Sequence, residues 1–243
     1  MNRILVDEGL DFVSKKDDTL YIDIEESINL LIANSSYDYE INVKDSFVNI
    51  LTIFQNSNDA NIKININNSK VIYNLISYNG KNENIKVNLN TSNSSFDLFN
   101  SIISVSNQEI NVNILHNASL TDSNVYNCAS TIKEGSVKFN ITSKVFKDSI
   151  KCKVNQESRI ISLNSSNDNE INPNLLIGCY DTLASHSAFI GKFKDEDVFY
   201  MQTRGIKKKD AYNLLLEGFL IGKLDISSSE KDYLKEKLNR NWR

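Results

Sequence analysis

Residues 60–89 read ANIKININNSKVIYNLISYNGKNENIKVNL. Ile62, Ile64 and Ile66 alternate with polar residues, and Ile85, Val87 and Leu89 repeat the pattern after a second apolar run, Val71-Ile72-Tyr73. Strict alternation turns every second side chain to one face, as in a half-buried strand. The same alternation recurs outward from this stretch, at Ile41/Val43, Ile110/Val112/Ile114, Val137/Phe139/Ile141 and Ile161/Leu163. The starts of these runs lie 21, 23, 25, 27 and 24 residues apart, a solenoid period. Further apolar runs fall between them: Val48 to Leu51, Phe96 to Phe99, Val125-Tyr126 and Val145-Phe146. Two strands per repeat predict stacked coils, a right-handed parallel β-helix with asparagines laddered at its corners. The competing arrangement is an antiparallel sandwich. Asn-Gly hairpin signals are scarce, Tyr78-Asn79-Gly80 being the clear case, and the chain has eight glycines, which favours crossing corners.

Of 35 asparagines, all but three precede residue 175. The last fifty or so residues are instead rich in Lys, Leu, Glu and Asp, so the composition divides the chain. A short amino-terminal segment (1–18) leads into an all-β core (19–193), and a small helical segment (194–243) follows. Three helices are expected there. The first runs from Asp195 to Thr203 and stops at Arg204-Gly205, where a positive φ suits glycine. The second runs from Lys208 to Leu220 with Ala211, Leu214, Leu215 and Phe219 at helical spacing. The third opens on the capping box Ser227-Ser228-Ser229-Glu230 and carries Tyr233, Leu234 and Leu238. A solenoid has two ends to protect, and this tail is read as the cap of one of them.

The formal charge of −4 argues against a nucleic-acid partner, which usually meets a basic patch. No apolar run approaches the roughly 20 residues of a membrane span, and the first 16 residues lack the apolar stretch of a secretion signal. Three widely spaced cysteines without CxxC suit a reducing cytoplasm rather than a disulfide framework. Hydrolase and nucleotide-binding motifs are absent, so no catalytic residue is assigned.

The stretch ASHSAFIGKFKDEDVFYMQTRGIKKKDAYNLLLEGF, from Ala184 to Phe219, resembles the carboxy-terminal signature of the SufB/SufD family of iron–sulfur cluster assembly proteins. Its elements are Ser185-His186-Ser187-Ala188, Gly191, Phe199-Tyr200, Arg204-Gly205-Ile206, Ala211 and Gly218-Phe219. Asn172-Pro173-Asn174-Leu175 stands where the family has Lys-Pro-x-Leu. The resemblance implies a β-helix that scaffolds a nascent, transient cluster, without turnover of its own. It implies pairing with a SufB-like paralogue, or self-pairing as a homodimer, and docking of a SufC-like ABC ATPase that hydrolyses the ATP. His186 then becomes the cluster-site and metal-ligand candidate, with Cys179 as a second one seven residues earlier. Arg204, Gly205, Ile206, Ala211, Leu215 and Phe219 become candidates for the ATPase contact, and Arg204 also for a structural role, capping its helix or bonding to the β-body. Two departures point to the SufD-like branch: Ser158 stands at the SufB-type cysteine, and Ser187 at the SufB-type glutamate. The family's long amino-terminal helical region has no counterpart, since the strands are expected to begin near Leu20. Without the resemblance, His116 is a satisfied structural histidine, and Cys128 and Cys152 are small buried residues. The alternative from another class is a β-solenoid that binds or cleaves polysaccharide, for which no carboxylate and basic cluster falls in register.

Overall fold

The computed structural model describes residues 2–33, 37–55, 59–79, 82–163 and 168–241, with side chains as far as residue 236. Gly80 and the side chain of Leu238 fall outside those described. The strands are β1 (Ile4–Leu5), β2 (Val13–Lys16), β3 (Thr19–Ile24), β4 (Ile28–Ala33), β5 (Asp38–Lys44), β6 (Phe47–Gln55), β7 (Ala60–Asn67) and β8 (Lys70–Tyr78). There follow β9 (Glu83–Leu89), β10 (Ser95–Ser104), β11 (Asn107–His116), β12 (Asp122–Thr131), β13 (Ser136–Val145), β14 (Cys152–Ser162), β15 (Glu170–Ile177) and β16 (Thr182–Gly191). The helices are α1 (Asp195–Thr203), α2 (Lys208–Ile221) and α3 (Ser228–Asn241). The chain crosses at each corner between two eight-stranded sheets. Sheet A has the order β1-β4-β6-β8-β10-β12-β14-β16, and sheet B β15-β13-β11-β9-β7-β5-β3-β2. All pairs are parallel except β2 with β3. This is the β-solenoid that the repeat implied, in about seven turns.

One apolar core fills the space between the sheets, with Phe54, Tyr73, Phe96 and Phe139 fully buried. The inward rows are the alternating residues of the repeat. Ile41 pairs with Ile64, Ile62 with Ile85, Ile85 with Val112, Ile110 with Phe139, and Phe139 with Ile171. True offsets therefore grow along the stack, through 23, 27, 29 and 32 residues. Two of the sequence-based runs are corrected. Ile161 lies at the end of β14 and Leu163 beyond it, so the sheet B strand that follows β13 is β15; Val145 ends β13, and the sheet A strand is β14.

The β-body's turns explain the scarcity of glycine. Asp45, Asn68, Asn93, Leu120 and Lys151 each sit two positions before an equivalent sheet A residue (Phe47, Lys70, Ser95, Asp122, Lys153), and their φ values lie between 46° and 62°. Asn and Asp adopt this left-handed conformation more readily than other L residues. The residue after each is Ser46, Ser69, Ser94, Thr121 or Cys152, a buried column of small polar side chains. Leu120 is the misfit, half exposed with φ 58°. Leu120→Asn is expected to stabilise the fold by roughly 1 kcal/mol, seen as a higher denaturation midpoint with an unchanged slope.

The asparagine ladders lie mainly on the outer face of sheet B rather than at the corners. Asn61 donates to Asp38, Asn84 to Asn61, Asn111 to Asn84, Asn140 to Asn111, and Asn172 to Asn140, at 2.8–3.0 Å. A second ladder runs from Asn88 through Asn65 and Asn42 to Asp23.

The two ends differ. At the amino end Val6, Leu10 and Phe12 pack against the core, and antiparallel β2 finishes on exposed Lys15 and Lys16, a blunted edge. Strands thus begin at Ile4, earlier than the Leu20 expected. The tail caps neither end; it lies along the outer face of sheet A. Leu216, Leu220, Ile221, Leu224 and Leu234 bury Ile103 and Cys128 there, with Ile76, Tyr78 and Phe99 alongside. The reason is that this face is apolar, while that of sheet B is saturated with amides. The backbone at Asp225 exchanges hydrogen bonds with Asn74 and accepts another from Asn49. Arg3, from the first coil, pairs with Glu230 of α3. The capping box forms as expected, Ser227 and Glu230 bonding reciprocally, and Gly205 ends the first helical turn region with φ 82°.

Candidate functional site

The carboxy end of the solenoid is open. β15 is the last strand of sheet B and β16 the last of sheet A, each paired on one side only. In register, Val154, Gln156, Ser158 and Ile160 of β14 stand beside Ala184, His186, Ala188 and Ile190 of β16. The first four are buried, so the second four continue the inward row. Among the described residues none stacks on them, and all four are exposed. His186 therefore occupies a core position at an uncovered end, flanked by two alanines. Ile171, Pro173 and Leu175 form the facing row on β15, half-buried. Leu183, Leu176 and Tyr180 around this end are exposed. Long edge strands bearing apolar side chains invite pairing with another chain.

Beneath His186 the interior is polar. Gln156 reaches across to sheet B, its amide donating to Ser143 Oγ at 2.8 Å and to the Asn174 carbonyl at 3.2 Å. A buried row runs up sheet A from Asn100 to Asn127 to Ser158, bonded at 2.6 and 2.8 Å. Ser158 is thus a diagonal neighbour of His186 on the same face. The two positions that the resemblance singled out, Ser158 and His186, are thus brought together on one face.

Cys179 is elsewhere. It lies in the turn between β15 and β16, packed against the cluster of Val145, Cys152 and Val154. His186 is four residues into β16 beyond Thr182, so strand rise alone separates them by roughly 13 Å. Cys128 and Cys152 are buried, whereas Cys179 is half-buried. Burial pushes the Cys128 thiol up to about 11. His116 is fully buried, with Nδ1 2.8 Å from Thr121 Oγ1 and Nε2 2.9 Å from Ser123 Oγ. Both ring nitrogens are engaged, as expected of a structural histidine.

The ATPase candidates divide. Ala211 is fully buried in α2, and Phe219 packs edge-on to Phe193 with Arg159 over its ring. Arg159 also lies over Phe189; Gly191 lets that ring lie close, since a Cβ there would stand 2.7 Å from it. Leu215 and Ile206 are half-buried, and Arg204 is exposed, its guanidinium over the Tyr200 ring and bonded to its hydroxyl. Arg204 contacts its own helix rather than the β-body. Leu214, placed on the apolar stripe by spacing, points out instead, and with Phe199 and Tyr200 forms the exposed apolar surface of the α1–α2 hairpin. Helical periodicity alone did not separate these outward side chains from Leu216 and Leu220, because both sets are apolar.

Comparison with known proteins agrees with this geometry. Residues 40–219 match the family described as SUF system FeS cluster assembly, SufBD core domain. The iron–sulfur cluster assembly protein SufD of Bacillus subtilis (strain 168) is 35% identical over 82 residues, 34% of this chain and 19% of that protein. SufD of Escherichia coli (strain K12) is 26% identical over 104 residues, 43% of this chain and 25% of that protein. The matched stretch thus spans a quarter or less of these relatives' length. With the family match extending from within β5 to the last turn of α2, the chain belongs to the SufBD core family of the SUF iron–sulfur cluster assembly system.

Proposed function

We propose that the chain is a SufD-like scaffold that pairs through its open carboxy end with a SufB-like paralogue, or with a second copy. His186 is offered at that junction as a ligand or proton acceptor for a cluster under construction, and Cys179 is the chain's more accessible thiol near that end. The observation that carries the reading is the exposed His186 in a core row, on one of two edge strands that are each paired on one side only. Among the described residues no three His, Cys, Asp or Glu side chains gather as a metal site, so a cluster here draws ligands from the partner too. Cluster ligation by thiolate with imidazole is established chemistry. The α1–α2 hairpin, with Phe199, Tyr200 and Leu214 outward, is the surface proposed to dock a SufC-like ATPase, around the family positions Arg204 to Phe219. The chain itself is proposed to be non-catalytic. A glycan-binding role is less favoured because the amides of the sheet B face are bonded to one another.

The test is co-purification with SufB-like and SufC-like proteins, followed by iron and sulfide analysis. A complex holding the ATPase is expected, and His186→Ala is expected to leave the complex intact while removing most of its iron. A solitary chain without the ATPase, or unchanged iron in the variant, overturns the reading.

A further inference from the structure

Gln156 is fully buried, and its two sides are in different states. Its amide nitrogen is committed to Ser143 and to the Asn174 carbonyl. A backbone carbonyl can only accept, so this bond fixes which end of the amide faces sheet B. Its carbonyl oxygen, Oε1, is buried and has no partner. Buried amide oxygens are nearly always satisfied, and one that is not calls for a cause. The residue in register with Gln156 on the next coil is His186, on the same inward row. Adjacent parallel strands are about 4.8 Å apart, within reach for an amide oxygen and a ring nitrogen.

We infer that Gln156 is the positioning residue of His186: its Oε1 accepts one imidazole N–H and leaves the other ring nitrogen, with its lone pair, facing off the open end. The inference deepens the scaffold reading and rests on it for its purpose. A histidine that ligates metal commonly donates its other N–H to an oxygen, which sets both tautomer and ring direction. Gln156 supplies that oxygen from below, and the Ser143 and Asn174 bonds hold the amide in place. The arrangement would present the imidazole to a partner already oriented, before any metal arrives.

The chain has two histidines, so nitrogen-15 imidazole spectra of the intact protein contain two rings. His116, bonded at both nitrogens, serves as the internal record of the fold. Wild-type His186 is expected to show one tautomer in roughly three- to tenfold greater bias than an exposed reference histidine, the range of a net hydrogen bond. Gln156→Leu is expected to relax that bias to the reference while leaving the His116 signals in place. A wild-type His186 with the reference tautomer ratio overturns the inference without any variant, as does an unchanged ratio in a folded Gln156→Leu protein. Because the measurement needs neither metal nor partner, it fails separately from the scaffold reading. That reading falls instead if His186→Ala assembles clusters normally while the wild-type bias stands.

Discussion

Between pH 4.5 and 6.5 the stability of this chain is expected to be nearly flat in the contribution of two buried groups, and Glu83→Gln is expected to break that balance. Glu83 is fully buried at the start of β9. Burial raises its carboxyl from 4.5 to about 7, with hydrogen bonds from Ser77 and Gln108 opposing. Below pH 4.5 both folded and unfolded chains hold this proton. As pH rises the unfolded chain releases it first, so folding loses about 1.4 kcal/mol per unit until roughly pH 7. His116 acts in the opposite sense. Burial lowers its imidazole from 6.5 to about 4, so its contribution is complete above pH 6.5 and is lost as pH falls towards 4. In the overlap one group releases while the other binds, and the two slopes cancel. Glu83→Gln removes the first slope. The variant is expected to gain about 3 kcal/mol at pH 7.5 and almost nothing at pH 4, and to show stability rising with pH in between. Its amide also brings N–H donors beside Gln108 Oε1, buried and unpartnered in the native chain. Urea titrations at half-unit pH steps measure this. A variant no more stable than wild type at pH 7.5 would refute the assignment of Glu83 as a neutral acid in the fold.

Ala188→Arg is expected to abolish pairing at the open end while leaving the chain folded. Ala188 flanks His186 on the same row, beside buried Ser158, and is itself exposed. A long side chain there meets solvent in the free chain. Across a closed junction it places a cation in an interior without a counter-charge, which costs about 3–5 kcal/mol, or a hundredfold or more in affinity. Sedimentation of the chain with a SufB-like protein, and alone, separates the two proposed arrangements. Full-strength assembly by a folded Ala188→Arg chain would place the junction elsewhere.

The coils were legible because apolar residues at period two cannot be hidden in a chain with so few turn-forming residues. The registers were harder. Corner insertions lengthen each coil by a few residues, and alternation within a strand does not say which row it joins. β15 shows why the last coil escaped notice. Its inward row is Ile171, Pro173 and Leu175, and Pro interrupts the apolar pattern in the place where a sheet tolerates it, the edge strand. The tail's destination was also illegible, because it depends on the outer face of sheet A having residues such as Ile76 and Ile103 where sheet B has Asn. His186 was singled out through the motif around it. Gln156 was not, since a polar residue within NQES reads as solvent-facing until the strand beside it is known.

The asparagine ladder on sheet B has a direction. Every rung donates towards the amino end, so the row is a vector rather than a set of equivalent sites. It begins on the carboxylate of Asp38, on β5 with β3 and β2 beyond it, and ends with the carbonyl oxygen of Asn172 on the last strand of the sheet. Only the carboxy terminus of the row therefore reaches an end of the solenoid, and what it offers there is an acceptor. Stacked amides are the device by which fibrils grow; here the ladder can be lengthened only by a strand that brings an N–H to Asn172, so the row favours one polarity of neighbour at the open end.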